Sequence, residues 1–121
     1  VIETPYGFEN GDVAMRTMMQ SDTPPTVVMC GNDVLAAGAL RGAKALGLRV
    51  PRDVSVTGFD DIELARIVTP TLTTVHVPHR EMGTKAATAL IALVEGAASN
   101  SPTQLQISLQ LRESLGPAAK N

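Results

Sequence analysis

Short apolar runs alternate with segments of helical periodicity along this chain of 121 residues. Residues 26–30 (TVVMC) are almost entirely apolar, and residues 53–59 and 73–77 carry shorter apolar patterns. Each of these segments predicts a strand, and the first is typical of a strand that is buried on both faces of a sheet. Strands that alternate with helices are typical of βαβ units. The pattern therefore predicts an α/β fold with a parallel sheet.

Helical periodicity predicts four helices around these strands. Their expected ranges are 11–20, 33–46, 62–67 and 80–95. Asn10 is the predicted N-cap of the first helix, and Asn32 or Asp33 that of the second. Gly47 is expected to end the second helix in a left-handed conformation. The last helix has the clearest apolar stripe, formed by Met82, Ala86, Leu90 and Leu93.

The last part of the chain has a different alternation. Residues 105–111 place apolar side chains between polar ones, which predicts a strand with one solvent-facing side. Residues 97–103 predict a small, polar loop before this strand, and residues 116–121 predict a frayed tail.

Composition narrows the class of protein. Hydrophobic residues make up 44% of the chain and charged residues 18%, which excludes an intrinsically disordered chain. The single cysteine, Cys30, excludes a disulfide-stapled scaffold, and no apolar run approaches the length of a membrane helix. The net charge of −2 and the lack of a basic stretch predict that this segment does not bind nucleic acid by itself. The chain shows no basic n-region and no signal-peptide h-region, a pattern for which we expect a cytoplasmic location.

Polar residues follow each of the three predicted parallel strands. They occur at Asn32 and Asp33, at residues 59–61, and at residues 76–78. The carboxyl ends of parallel strands share one edge of the sheet, and ligands bind there in such folds. This edge offers an amide, several carboxylates and an aromatic face, with no cationic residue directly at the strand ends. Such a site suits a neutral polyol, because hydroxyls pair with carboxylates and amides and the C–H face of a sugar packs on an aromatic ring.

These residues also have a structural interpretation. The pairs Asn32-Asp33 and Asp60-Asp61 each precede a helix, and N-capping explains one residue of each pair, which leaves the other for a ligand. Phe59 fits a core position as well as a ligand platform. Tyr6 lies in a broken, glycine-flanked segment, where a core role is less obvious.

Motifs for catalysis, a cofactor or a metal are not found. His76 and His79 lack a third ligand at suitable spacing, so we expect no metal. Cys30 follows an apolar strand with no nearby base, which is typical of a small buried hydrophobe. The chain contains no P-loop, no G-x-G-x-x-G and no G-x-S-x-G. We therefore expect no cofactor and no enzymatic activity.

Several motifs in series resemble one family. They are residues 25–33 (PTVVMCGND), 36–40 (AAGAL), 47–61 (GLRVPRDVSVTGFDD), 70–75 (PTLTTV) and 82–83 (MG). In this order they closely resemble the Lac repressor/Gal repressor (LacI/GalR-type) transcriptional regulators, over about residues 6–115, and a series of motifs is far more specific than one. The resemblance implies a parallel-sheet, periplasmic-binding-protein-like (type I) fold of two subdomains, of which this chain is an incomplete part. A small molecule, usually a sugar or a nucleoside-like metabolite, sits between the subdomains of such regulators.

The resemblance also implies residue roles. It places Tyr6, Asn32 and Asp60 in contact with the ligand, with Phe59 next to Asp60. Val77 stands where some members have a polar ligand contact. The dimer interface of the family implies that Ala37, Leu40, Arg41, Ile67 and Val68 contact a second copy of the chain.

By the same resemblance, residues 1–78 are most of the C-terminal subdomain, and residues 79–103 belong to the N-terminal subdomain. Residues 104–121 form a closing strand and tail. The expected partners are a sugar-like effector and a second copy of the chain, and operator DNA is reached only through an N-terminal helix-turn-helix domain outside this chain. A periplasmic sugar-binding protein of a transporter shares the fold and is the alternative function. An enzyme of similar topology would need a nucleophile or cofactor motif.

Overall fold

The computed structural model describes residues 1–96 and 104–118 and confirms the predicted α/β architecture. Its elements are α1 (Phe8–Met19), β1 (Val27–Met29), α2 (Asp33–Ala45), β2 (Ser55–Thr57), α3 (Leu64–Ile67), β3 (Thr74–His76), α4 (His79–Val94) and β4 (Ser108–Gln110). Gly47 follows α2 with a φ of 74°, as predicted for a left-handed cap. The loop predicted over residues 97–103 lies outside the described residues, as do residues 119–121.

The first three strands run in the same direction. β1 and β2 pair in parallel. Two parallel bridges, from Thr57 to Thr73 and from Asp60 to His76, connect the end of β2 with β3. β3 then pairs with β4 in the antiparallel direction. The carboxyl ends of β1, β2 and β3 therefore share one edge, as the sequence predicts.

The core lies between the helices and one face of the sheet. α1 and α2 approach each other closely, because a Cβ atom at Gly38 would strike the backbone carbonyl of Phe8 and one at Gly11 that of Leu35. Side chains from both helices and from the strands fill the space beneath them. These buried residues are Met15, Val28, Ala36, Ala39, Leu40, Ala43, Val54, Val56, Ala65 and Leu72.

Asn10 does not cap the first helix, so that prediction is wrong. α1 begins earlier, at Phe8, with Gly7 as its N-cap residue. The side-chain amide of Asn10 instead donates to the carbonyl of Pro5, at 3.1 Å. Asn10 therefore holds the segment before the helix against the first turn.

β1 is buried on one face, not on two as predicted. Val28 is 5% exposed, whereas Val27 and Met29 point to the other face and are 43% and 82% exposed. That second face opens into an apolar groove of about 290 Å³, whose lining includes Val27, Met29, Val75 and Leu109. The prediction fails because the described residues supply a helical layer for only one face of the strand.

The apolar sides of β4 and α4 are open as well. Ile107, Leu109 and Leu111 are 59%, 60% and 69% exposed, although their alternation predicts a buried side. α4 has no buried residue at all. None of the helices in residues 1–96 and 104–118 combines the length and apolar character that a membrane span requires.

The chain after β4 is anchored further than predicted. Ser114 is fully buried, and the N–H of Gly116 donates to the hydroxyl of Ser55 at 3.2 Å. The prediction of a frayed tail from residue 116 onward is therefore wrong for Gly116 itself.

Candidate functional site

Backbone hydrogen bonds join the ends of the three parallel strands. The N–H of Asp33 donates to the carbonyl of Phe59, and the N–H of Asp60 donates to the carbonyl of Val75, both at 2.9 Å. Asn32 and Asp60 are each one residue away from the first of these bonds. The structure therefore brings these two predicted site residues to the same edge.

The pair Asn32-Asp33 divides into a buried and an open residue. Oδ1 of Asn32 accepts the N–H of Leu35 at 2.9 Å and caps α2. Asp33 is fully buried: its Oδ2 accepts the N–H of Ile62 at 2.9 Å, and its Oδ1 accepts the hydroxyl of Thr74 at 2.5 Å. Both oxygens of Asp33 are thus engaged within the fold. The amide nitrogen of Asn32 stays at the edge, without an acceptor among the described residues.

Asp61 is the buried member of the second pair. Only 1% of its side chain is exposed, and its Oδ1 lies 2.5 Å from Nη2 of Arg112. Its Oδ2 lies 3.0 Å from Nδ1 of His76 and 3.3 Å from Nη2 of Arg66. Burial opposes the charged form of Asp61, but hydrogen bonds from Arg112 and His76 outweigh it and lower the pKa of the carboxyl. Asp61 is therefore an internal anion.

Asp60 is the open member of the same pair. Its side chain is 30% exposed, and Oδ1 lies 3.4 Å from Nε2 of His79 at the start of α4. Asp60 and Asp61 have φ values of 109° and 54°, a backbone region that residues with a Cβ atom rarely adopt. This turn allows two consecutive carboxylates to have opposite surroundings, one inside the fold and one at the edge.

A cavity of about 550 Å³ opens beside Asp60, between the edge and the start of α4. Its volume is within the range of small-molecule sites. The lining residues are Asp60, Asp61, Ile62, His76, Val77, Pro78, His79, Arg80 and Glu81. Arg80 and Glu81 were not among the site residues predicted from the sequence, and Asn32 and Tyr6 lie outside this lining.

The two candidate aromatic residues occupy different surfaces. Tyr6 is 72% exposed, and a Cβ atom on Gly31 would lie only 3.3 Å from its Cε1. Since Gly31 precedes Asn32, the tyrosine ring borders the edge. Phe59 is 40% exposed and lines the apolar groove beside β1.

Arg112 brings a positive charge to this edge, which sequence analysis missed. It follows β4 and lies 51 residues after Asp61 in the chain. Local pattern could not link the two, because their contact depends on β4 returning beside β3. The signal in the sequence is limited to an arginine directly after an alternating strand.

The described residues offer little to a metal ion or a nucleophilic reaction. They contain no group of three or more His, Cys, Asp or Glu side chains placed to hold a metal. Burial raises the pKa of the Cys30 thiol to about 11. That thiol is neutral at physiological pH and is a poor nucleophile.

The residues expected at a dimer interface are divided between the interior and the surface. Ala37 and Leu40 are 3% and 6% exposed and pack inside the chain, so they offer little surface to a partner. Arg41 forms ion pairs with Glu9 and Asp12 and lies over the ring of Phe8. Ile67 is 67% exposed, and Val68 is half-buried against the core.

Comparison with known proteins places this fold among bacterial regulators. The sequence profile of the periplasmic binding protein-like domain matches residues 2–115. The ribose operon repressor of Haemophilus influenzae is 35% identical over 116 residues, which are 95% of this chain and 35% of the repressor. The chain therefore spans about a third of the length of this curated relative.

Two solved structures have the same fold. A LacI family transcriptional regulator from Bifidobacterium animalis subsp. lactis superimposes with a TM-score of 0.91 at 28% identity, over 98% of this chain and 44% of that one. The Lac repressor dimer bound to operator and the anti-inducer ONPF gives a TM-score of 0.86 at 32% identity, over 93% of this chain and 40% of that one. The architecture described above is thus the architecture of part of these regulators.

Proposed function

Because this chain belongs to the periplasmic binding protein-like domain family, we propose that it forms the C-terminal part of the effector-binding module of a transcriptional repressor. In the complete protein, a small effector binds this module and changes the operator affinity of a separate N-terminal helix-turn-helix domain. The protein acts in the cytoplasm, and it acts by binding rather than by catalysis. The similarity to a ribose operon repressor and to an operator-bound Lac repressor supports this function.

One observation carries the proposal of a ligand at the sheet edge. Each polar pair has one buried side chain and one that reaches the edge: the side chains of Asp33 and Asp61 are buried. Asn32, whose oxygen caps α2, is partly exposed, and the side chain of Asp60 is 30% exposed. The fold needs the buried members as hydrogen-bond partners. The open members are an amide nitrogen and a carboxylate, which are the groups that bind the hydroxyls of a polyol.

Each candidate residue then has a defined role toward a sugar or a nucleoside-like effector. The carboxylate of Asp60 accepts hydrogen bonds from two hydroxyls, and the amide of Asn32 donates to a third oxygen. Tyr6 packs its exposed ring on the C–H face of the sugar, and Phe59 adds apolar surface next to Asp60. The wall of the site opposite this edge belongs to the N-terminal subdomain.

Titration calorimetry of the complete protein with D-ribose, lactose, adenosine and cytidine tests this site. The change Asp60→Ala removes a charge-assisted hydrogen bond of about 1.5–3 kcal/mol, so the Kd of a probe that binds rises by roughly 10- to 150-fold. Asp22→Ala is the matched control, because it removes an exposed carboxylate from the loop after α1. Equal Kd values for the parent and Asp60→Ala would contradict the site. Binding of none of the four probes would contradict the effector class.

The assignment of subdomains and of the dimer belongs to the same proposal. Residues 1–78 form most of the C-terminal subdomain, residues 79–103 enter the N-terminal subdomain, and residues 104–121 close the sheet. The open apolar stripe of α4 supports this division, because an element of the other subdomain has its packing partner there. We propose a homodimer in which Ile67, Val68 and Arg41 supply surface from this chain.

A further inference from the structure

Arg112 is fixed to Asp61 by the least exposed ion pair of the sheet edge. Nη2 of Arg112 lies 2.5 Å from Oδ1 of Asp61, and only 15% and 1% of the two side chains are exposed. Arg66 contacts the same carboxylate, but it lies 3.3 Å away and 66% of its side chain is exposed. Solvent screens an exposed pair much more than a buried one. His76 also contacts Asp61, at 3.0 Å, but 44% of its side chain is exposed. Arg112 is therefore the least exposed of the three partners of Asp61.

The position of Arg112 is set by further hydrogen bonds. Its Nη1 donates to the carbonyl of Leu72 at 2.8 Å. Its backbone N–H donates to the hydroxyl oxygen of the buried Thr73 at 2.8 Å, and that hydroxyl donates to the carbonyl of Arg112 at 3.1 Å. Arg112 is thus held through both its guanidinium group and its backbone. It forms a fixed point for the Asp61 carboxylate.

Asp61 in turn holds the turn that carries Asp60. Both residues have positive φ values, which are unfavourable for side chains with a Cβ atom and persist only where surrounding contacts impose them. On the Asp60 side, one backbone bond of 2.9 Å to the carbonyl of Val75 contributes to this restraint. On the Asp61 side, the buried side chain restrains the turn through its ion pair with Arg112. Loss of Arg112 allows the turn to relax and moves the Asp60 carboxylate.

We infer that Arg112 is a positioning residue for the effector: it anchors Asp61 and thereby aims the carboxylate of Asp60 at the ligand. This inference rests on the proposed function, since it assigns Arg112 to the same site. Arg112 acts through Asp61 and makes no contact with the effector itself. This ion pair couples the end of β4 to the ligand carboxylate.

Hydrogen exchange of the complete, ligand-free protein tests the anchor without any effector. In Arg112→Met, peptides that cover residues 58–62 exchange about tenfold faster, because the turn opens more often. Peptides that cover residues 27–31 keep the parent rate. Arg66→Met is the matched control, since it removes the exposed partner of the same carboxylate and leaves both rates unchanged. If Arg112→Met fails to fold, Arg112→Lys replaces it, and an exchange increase of roughly threefold is expected because lysine lacks the second nitrogen.

Effector affinity then tests the positioning role. For whichever of D-ribose, lactose, adenosine or cytidine binds the parent, Arg112→Met raises the Kd about tenfold. In an Asp60→Ala background the same change has no further effect, because no carboxylate remains for Arg112 to position. A purely structural role predicts equal effects in both backgrounds.

Each result decides between these roles. Unchanged exchange at residues 58–62 in a folded Arg112 variant overturns the inference, whether or not a probe binds. Equal, additive effects of Arg112→Met in the two backgrounds also overturn it. If none of the four probes binds the parent, the proposed function fails, and the exchange measurement alone decides whether Arg112 holds the turn.

Discussion

The sheet edge and the last helix of this chain have opposite relations to the rest of the fold. At the edge, Asp33 and Asp61 are buried and every carboxylate oxygen on them has a partner. In α4, by contrast, Leu90 is 63% exposed and no residue is buried. Both regions have strong sequence patterns. Their difference shows that a pattern predicts which face of an element is apolar, whereas burial also needs a second element to cover that face.

Truncation of one large side chain in the covered core and of one in α4 should give the largest difference. Met15 is fully buried between α1 and the core, so Met15→Ala should lower the free energy of unfolding of the 121-residue chain by about 2–5 kcal/mol. Leu90→Ala should change it by less than about 0.5 kcal/mol, because surface substitutions have small effects. Urea unfolding measures both. Comparable losses would mean that α4 is packed in solution and would break the comparison.

Two helical glycines provide the next test. Gly38→Ala should destabilise the chain by about 1–3 kcal/mol, since its Cβ atom has to displace the backbone of α1 at Phe8. Gly83 lies in α4 with no atom near its Cβ direction, so Gly83→Ala should stabilise by roughly 0.5–1 kcal/mol through helix propensity. The two changes are chemically identical and should have opposite signs. Thermal unfolding followed by circular dichroism measures both changes in stability. Changes of the same sign would contradict the expectation that the α1–α2 contact is closely packed and α4 is open.

The smallest expected effect is on stability at acid pH, which depends on the buried ion pair between Asp61 and Arg112. The pKa of Asp61 lies below its ordinary value of 3.8, so its ion pairs stabilise the fold above that pH and are lost as the pH falls through the lower folded-state value. Asp61→Asn should therefore lose less stability than the parent between pH 5 and pH 2. Glu81→Gln in α4 is the control, because Glu81 and Lys85 form an exposed pair. Parallel stability profiles for the parent and Asp61→Asn would contradict the expectation.

The features that were predictable from the sequence are those with a local cause. Apolar runs, helical stripes and strand-end residues were enough to predict the order of the elements, the parallel edge and the side-by-side placement of Asn32 and Asp60. The second face of β1 was not predictable, because its exposure depends on what packs against it. The contact of Arg112 with Asp61 spans 51 residues and depends on the pairing of β3 with β4. Likewise, which carboxylate of each pair turns inward depends on partners that are distant in the chain.

The buried Ser114 has a consequence for the synthesis of this chain. Its hydroxyl donates to the carbonyl of Val56 at 2.6 Å and accepts the N–H of Thr73 at 2.8 Å, so it joins two strands that precede it by 58 and 41 residues. A ribosome adds about 5–20 residues per second, so about 2–8 seconds separate the synthesis of Thr73 from that of Ser114. During that interval β1 and β2 exist, but β4 and the buried hydroxyl that bonds to Val56 and Thr73 are still missing. Pauses in translation after Thr73 would therefore prolong the time in which these strand ends are open to other chains.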